Sequence, residues 1–248
     1  MKISIITACR NSADTIEDTI RSVASQDYQN IEYIIIDGAS TDETVTKIKY
    51  FGDKISLLIS EVDHGLYDAL NKGIERASGE IIGILNSDDF YSNNQVISKI
   101  ANKFTTDSCD ALYSDLDYVE RKNTSLITRK WIAGKYKEGL FDKGWMPPHP
   151  GFFVKKKIYD RFGKFNTSFK YSADYEIMLR LIHKHKISLS YLPETTVKMR
   201  MGGYGNKSMF VKLLANLEDR KAWKINSLKP SMLTLWRKPF SKLMQFVR

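Results

Sequence analysis

Apolar positions along this chain fall into two alternating rhythms. Residues 2–7 form a short β-branched run, and residues 14–26 follow with Ile16, Ile20, Val23 and Ala24 at helical spacing. Residues 31–36 are an unbroken apolar run closed by Asp37-Gly38, the pattern of a strand buried on both faces. Thr41-Asp42-Glu43 can cap a helix running to about Tyr50, and residues 55–60 read as a third strand. A helical pattern over residues 67–77 and a fourth buried strand over 80–85 complete the series, which ends at Asn86-Ser87-Asp88-Asp89. Four strand and helix alternations predict an α/β fold with a mostly parallel sheet covered by helices, whose ligands bind at the carboxyl ends of the strands.

The rhythm changes beyond Asn93. A helix is expected over 95–104, then antiparallel pieces over 111–119 and 125–131. Gly144 to Gly151, with Pro147-Pro148-His149-Pro150, must be a loop. Helices over 156–162 and 173–183 and a strand over 187–192 follow. Phe210, Leu213, Leu214 and Leu217 then give residues 208–225 the stripe of a helix docked on the body.

With 248 residues, 42% of them hydrophobic, the chain can bury one substantial core. No apolar run is long enough for a membrane span or a signal-peptide core. Cys9 and Cys109 alone supply neither a disulfide framework nor a zinc site, so a reducing, cytoplasmic setting is expected. Charge is more telling. Residues 211–248 hold nine of the 38 Lys and Arg but two of the 29 acids, so +7 of the net +9 sits in the tail.

Acidic groups stand at the predicted strand ends: Asp37, Asp63 and the Asp88-Asp89 pair. In a parallel sheet those ends share one rim. Carboxylates gathered there repel one another, and a bound Mg²⁺ or Mn²⁺ would relieve the repulsion while accepting phosphate oxygens from a nucleotide. Each acid taken singly is equally at home in a turn or a helix cap. Thr7-Ala8-Cys9-Arg10-Asn11 after the first strand is no GxGxxG, and no GxxxxGK[ST] occurs, which disfavours the usual dinucleotide and P-loop sites.

Ser4-Ile5-Ile6-Thr7, the stretch Ile35-Ile36-Asp37-Gly38-Ala39-Ser40-Thr41-Asp42, Asp63-His64-Gly65 with Leu66-Tyr67-Asp68-Ala69-Leu70-Asn71-Lys72-Gly73, and Leu85-Asn86-Ser87-Asp88-Asp89 resemble the ordered motifs of family 2 glycosyltransferases. These are inverting enzymes of the Rossmann-like GT-A fold that use nucleotide sugars. The likeness runs over about residues 1–205 and is nearest to bacterial members that assemble O-antigen, capsule and exopolysaccharide units. It implies a catalytic domain over 1–207, with a nucleotide-sugar half over 1–93 and an acceptor half over 94–207, followed by a basic, amphipathic helical extension over 208–248.

The resemblance further implies site roles. Thr7, Asn11 and Asp37 would hold the nucleoside, Asp63 would complete the base and ribose pocket, and Lys72 would lie near the diphosphate, with Arg200 able to assist. Asp88 and Asp89 match the metal-binding segment, and Asp88 also counts among the donor contacts; Asn86 stands where that motif has its first Asp. Asp174 matches the family's base, which takes a proton from the attacking acceptor hydroxyl. Ala173 replaces the usual Glu before it, Glu176 competes for the same role, and Asp174 as a plain helix cap is the simpler alternative. Trp145 and His149 sit in the acceptor-side loop, where an exposed Trp can stack on a sugar; a packed Trp in a proline-stiffened loop is the plainer reading. The glycine-rich stretch from Arg200 to Asn206 resembles a segment that closes over the donor.

After Pro239, the residues Phe240, Leu243, Met244 and Val247 form an apolar stripe flanked by Lys238, Lys242 and Arg248, with Trp236 just ahead. That composition fits a helix lying on an anionic membrane surface, and a packed or solvated helix fits it too. The expected partners are a UDP-sugar donor, a lipid-linked saccharide acceptor and the inner face of the plasma membrane, with no nucleic acid and with homodimerisation open. Two other readings stand beside this one: a nucleotidyltransferase on a similar scaffold, and a nucleic-acid-binding module that uses the basic tail.

Overall fold

The computed structural model describes residues 1–202 and 209–229, and of residues 209–213 the backbone alone. The first half follows the expected alternation: β1 (Ile3–Cys9), α1 (Ile16–Ala24), β2 (Ile31–Asp37), α2 (Thr44–Tyr50), β3 (Leu57–Ser60), α3 (Leu66–Arg76) and β4 (Ile81–Ile84). β2 and β4 both pair with β1 in parallel, and β3 pairs with β2. The chain therefore steps outward from β1 to β3 and returns to the other side of β1 with β4. That reversal opens a crevice at the carboxyl ends of β1 and β4.

The second half supplies β5 (Phe90–Tyr91), α4 (Val96–Asp107), β6 (Ala111–Val119), β7 (Ile127–Trp131), β8 (Phe152–Lys155), α5 (Lys156–Phe162), α6 (Ala173–Met178), β9 (Leu189–Arg200) and α7 (Met209–Ile225). β8 runs antiparallel between β4 and β6, and β9 lies parallel to β6, so the sheet order is β3-β2-β1-β4-β8-β6-β9-β5 with β7 beside β6.

Strand side chains alternate between two cores, as the period of two requires. On β1, Ile3 and Ile5 face α1 and α4 together with Ile16, Ile20, Val96 and Ile100. Ile6 and Ala8 face the opposite side with Leu70, Ile74, Ile158, Ile177 and Trp223. Cys9 and Cys109 are buried thiols.

Three expectations change. The strand anticipated over 187–192 continues to Arg200, because β9 shifts register against β6 on either side of Asp115 and so carries Pro193 without ending. The helix expected over 173–183 is α-helical only to Met178 and widens into a π-helical turn over Leu179–Lys184. α7 docks as expected, but Leu217 of the expected stripe is 59% exposed, whereas Ala222 and Trp223 are buried in the core. The tail stripe from Phe240 to Val247 lies outside the described residues. Among the described residues no helix is long and apolar enough to cross a membrane.

Candidate active site

The loops that leave β1, β2 and β4 are stitched to one another at the crevice. Asn11 Oδ1 accepts the Thr41 amide at 2.9 Å, and the Asn11 amide donates to Ser40 Oγ at 2.8 Å. The Ser12 amide donates to Thr44 Oγ1 at 2.7 Å, and the Ser12 and Ser87 hydroxyls meet at 2.9 Å. Thr15 Oγ1 donates to the Ser87 carbonyl at 2.9 Å. Asn11 adopts positive φ, which Asn tolerates better than most residues. It therefore braces the rim beside Asp37, where its nucleotide-contact role had placed it.

Asp37 ends β2 fully buried. Its carboxylate accepts the Ser40 hydroxyl, the Ser40 amide at 3.0 Å and the Ser60 hydroxyl at 2.7 Å, with the Cys9 thiol 3.6 Å away. Burial first, then the charge of Asp37, raises the Cys9 thiol pKa, so the sulfur stays protonated. Asp63 comes to the same place. A Cβ built on Gly38 would stand 2.3 Å from Asp63 Oδ2, so the missing side chain at Gly38 is what lets Asp63 close over the turn after Asp37. Asp63 Oδ1 accepts the Gly65 amide at 2.8 Å and fixes the turn into α3.

Asp88 and Asp89 take different positions although adjacent. Asp88 is partly exposed at the rim, with Arg121 Nη1 at 3.5 Å from Oδ2. Asp89 is 1% exposed; Oδ2 accepts Asn86 Nδ2 at 2.9 Å and Oδ1 accepts the Arg200 amide at 3.1 Å. Burial and then the charge of Asp88 raise the Asp89 pKa. Asp89, expected as a metal ligand, uses both oxygens in this structure to tie the β4 turn to the end of β9. Asp88 keeps the more accessible carboxylate of the pair. Among the described residues no three His, Cys, Asp or Glu side chains gather around one point. A site with one protein carboxylate suits Mg²⁺ or Mn²⁺, which fill the remaining positions with water and substrate phosphates. Arg200 is likewise committed: it ion-pairs with Asp18 and donates to the Asp88 carbonyl at 2.8 Å, which holds it within the protein.

On the acceptor side, Asp174 sits in the first turn of α6, partly exposed. Tyr67, at the start of α3, lies near the backbone of Ala173 and Asp174, and burial raises the pKa of its hydroxyl. Tyr118 on β6 feels the charges of both Asp89 and Asp174; burial raises its pKa first, Arg129 opposes this, and the two carboxylates add to the rise. Tyr67 and Tyr118 therefore relate Asp174 to the start of α3 and to the Asp88-Asp89 turn. Sequence reasoning passed over both tyrosines as helix and strand residues; Tyr67 lay within a motif, while nothing local marked Tyr118.

The other expected site residues take these places. Thr7 points into the core, where Oγ1 meets the Tyr33 hydroxyl at 3.1 Å, because strand alternation turns it away from the crevice. Lys72 lies 2.8 Å from Glu61 and 3.4 Å from Asp68, so it secures the loop that carries Asp63. The Glu61 hydrogen bond is the main reason its pKa is raised. Trp145 is packed among Tyr113, Tyr136 and Phe141 and donates Nε1 to the Ala133 carbonyl at 2.8 Å, so its ring belongs to an aromatic cluster. His149 has its Nε2 buried without a hydrogen-bond partner; burial lowers its pKa, and the Asp174 charge works against that. Glu176 is 1% exposed and bound to Arg180 and Asn226, which removes it from the acceptor surface.

The sequence profile described as Glycosyl transferase family 2 matches residues 4–171. An uncharacterized glycosyltransferase of Mycobacterium tuberculosis is 31% identical over 188 residues, covering 72% of this chain and 68% of that protein. The Escherichia coli UDP-Glc:alpha-D-GlcNAc-diphosphoundecaprenol beta-1,3-glucosyltransferase WfaP is 32% identical over 191 residues, covering 73% and 70%. Among solved structures, S. aureus TarS 1-349 in complex with UDP-GlcNAc superposes with a TM-score of 0.68 at 17% identity, over 97% of this chain and 73% of that one. The mannosyltransferase PcManGT from Pyrobaculum calidifontis, in complex with GDP-Man and Mn²⁺, superposes with a TM-score of 0.68 at 18% identity, over 96% and 72%. The fold is that of the GT-A enzymes.

Proposed function

The chain belongs to glycosyl transferase family 2, and from that premise we propose that it is an inverting, metal-dependent glycosyltransferase. It moves a hexose or N-acetylhexosamine from a UDP-sugar to a saccharide carried on a polyprenyl diphosphate, in the assembly of a bacterial surface polysaccharide. Family membership takes the place of the nucleotidyltransferase and nucleic-acid readings. What supports the proposal is the family match together with the place of three acids: Asp63 closes over Gly38 after β2, Asp88 stands partly exposed after β4, and Asp174 lies in the first turn of α6 near Tyr67 and Tyr118.

In this reading Asp63 and the backbone after Asp37 receive the base and ribose, while Asp37 shapes that turn from behind. Asp174 takes the proton of the acceptor hydroxyl as its oxygen attacks the anomeric carbon from the side opposite the departing diphosphate. A divalent ion held at Asp88 supplies neutralisation of the charge that grows on that leaving group. The relative WfaP is named for a UDP-glucose donor and a diphosphoundecaprenol-linked acceptor, which supports the substrate classes. The basic tail would keep the enzyme on the inner face of the plasma membrane, where such an acceptor resides.

The test is a donor screen with UDP-glucose, UDP-N-acetylglucosamine and GDP-mannose, with and without Mn²⁺, followed by mass spectrometry of products formed on a synthetic diphosphate-lipid sugar. Metal-stimulated UDP release and a product one sugar heavier are expected. Turnover of GDP-mannose alone would overturn the UDP assignment, and equal turnover in chelator would overturn the metal.

A further inference from the structure

Helix α7 lies beyond the family-matched residues, yet it grips the chain just ahead of Asp174. The Glu218 carboxylate accepts three consecutive backbone amides, those of Lys170 at 2.9 Å, Tyr171 at 2.8 Å and Ser172 at 2.8 Å. The Ser172 hydroxyl donates to the Ala215 carbonyl at 3.1 Å, and Lys221 Nζ donates to the Ser168 carbonyl at 2.8 Å. Further along, Trp223 Nε1 donates to the Tyr175 hydroxyl at 2.8 Å and Asn226 Nδ2 to Glu176 Oε1 at 2.9 Å. Ala215, Glu218, Ala222 and Asn226 recur at helical spacing and form one stripe of α7 against residues 168–176.

The two residues that follow, Ala173 and Asp174, lie beside Tyr67. Three consecutive amides leading into the first turn of α6 are thus taken by one side chain, Glu218. Hydrogen bonds to an ionised carboxylate are shorter and stronger than neutral ones, and three that converge on a single group fix the direction of the backbone. Glu218 touches no reacting atom. Its bonds set where α6 starts, and with it where the Asp174 carboxylate stands.

We propose that Glu218 is a positioning residue for sugar transfer, acting through Asp174, so that α7 belongs to the catalytic apparatus. This rests on Asp174 as the base, and the experiment separates the two claims. Full-length wild type, E218A, E218Q, D174N and D174N/E218A are compared for formation of UDP from UDP-glucose and UDP-N-acetylglucosamine with water as acceptor, for UDP affinity by calorimetry, and for amide hydrogen exchange over residues 168–176. Because small misplacements of a reacting group are costly, E218A is expected to lower kcat by about 10- to 100-fold. KM and UDP affinity should stay within about twofold, since donor binding is untouched. Exchange at 170–174 should accelerate, and E218Q, which keeps an acceptor oxygen, should recover most of the rate. In the D174N background E218A should cost nothing further, the non-additivity expected when one residue acts through another.

A kcat for E218A equal to wild type, or a loss carried in full into D174N, overturns the positioning role. D174N with wild-type turnover overturns the base itself. Should E218A not fold, S172A, which loses the tie to the Ala215 carbonyl, carries the same comparison. Should wild type hydrolyse neither donor, unchanged exchange at 170–174 in E218A, or in S172A where E218A does not fold, overturns the clamp.

Discussion

Glu176 closes on Arg180 through both carboxylate oxygens, at 2.9 Å to Nε and 3.0 Å to Nη2, and Asn226 adds a third bond at 2.9 Å. Two residues earlier on the same helix, Asp174 faces outward. The pair divides structure from chemistry. Asp174→Asn is expected to leave UDP affinity intact and to lower transfer by about 100-fold or more, the usual loss for a general base. Glu176→Gln leaves the Arg180 guanidinium with neutral partners alone, the carbonyls of Phe162, Gly163 and Lys164 among them, and should cost about 3 kcal/mol of stability, as breaking a buried pair does. Urea melts beside initial rates per folded molecule check both; normal transfer by D174N with a stable, inactive E176Q would reverse the roles.

Asp88 and Asp89 should separate in the same way. Asp88→Asn changes a partly exposed side chain, so the melting curve should barely move, while Mn²⁺ stimulation of UDP binding is lost. Asp89→Ala leaves Asn86 Nδ2 and the Arg200 amide without acceptors and should cost about 1–3 kcal/mol for each group. Calorimetry with and without Mn²⁺ decides: metal-stimulated binding that survives in D88N removes Asp88 from the metal site.

Gly38→Ala tests how Asp63 reaches the turn after β2. The added methyl would meet Asp63 Oδ2, the end of a movable side chain, so the fold should tolerate it. Asp63 would swing away. UDP affinity is expected to fall by about tenfold, which is the loss of about 1.4 kcal/mol of binding. Unchanged affinity would mean that Asp63 does not line the nucleotide site.

Far from the crevice, Glu32 ties together the amino ends of β1, β2 and the loop before β4. It accepts the Ser4 hydroxyl at 2.5 Å, the Ser78 amide at 2.7 Å and Lys2 Nζ at 2.9 Å. Desolvation raises its pKa, but these bonds outweigh it and hold the carboxyl down at about 2. The folded value lies below that of an unfolded glutamate, about 4.3, so the stabilisation is present above that pH and fades as acid approaches the folded value. Glu32→Gln should therefore cost about 1–3 kcal/mol at neutral pH. Urea melts of the pair at descending pH should converge; a constant gap would refute the linkage.

The parallel half was legible because its strands are buried on both faces, and long apolar runs such as Ile34-Ile35-Ile36 have no other reading. β6 and α5 also run over the expected residues. β9 was read only to Leu192; Pro193 has no amide to donate, and only the partner strand shows that the ladder resumes after a shift of register. The acids that gather at the rim were visible as strand ends. Which of their oxygens remain free was not, since that depends on distant partners: Arg200 for Asp89, and Asn226 for Glu176. Trp145 was placed on a sugar for the same reason, because Tyr113, Tyr136 and Phe141 surround it only in three dimensions.

Trp223 fills the interior between α6 and the sheet at 1% exposure, on a helix that follows nearly every other described residue in chain order. A growing polypeptide reaches that indole only after the nucleotide-side strands have been made. Until α7 emerges from the ribosome, the interior beside Tyr175 lacks its largest side chain and the entry to α6 lacks its carboxylate anchor. A polypeptide cut at residue 207 would lack both and leave an open seam beside α6.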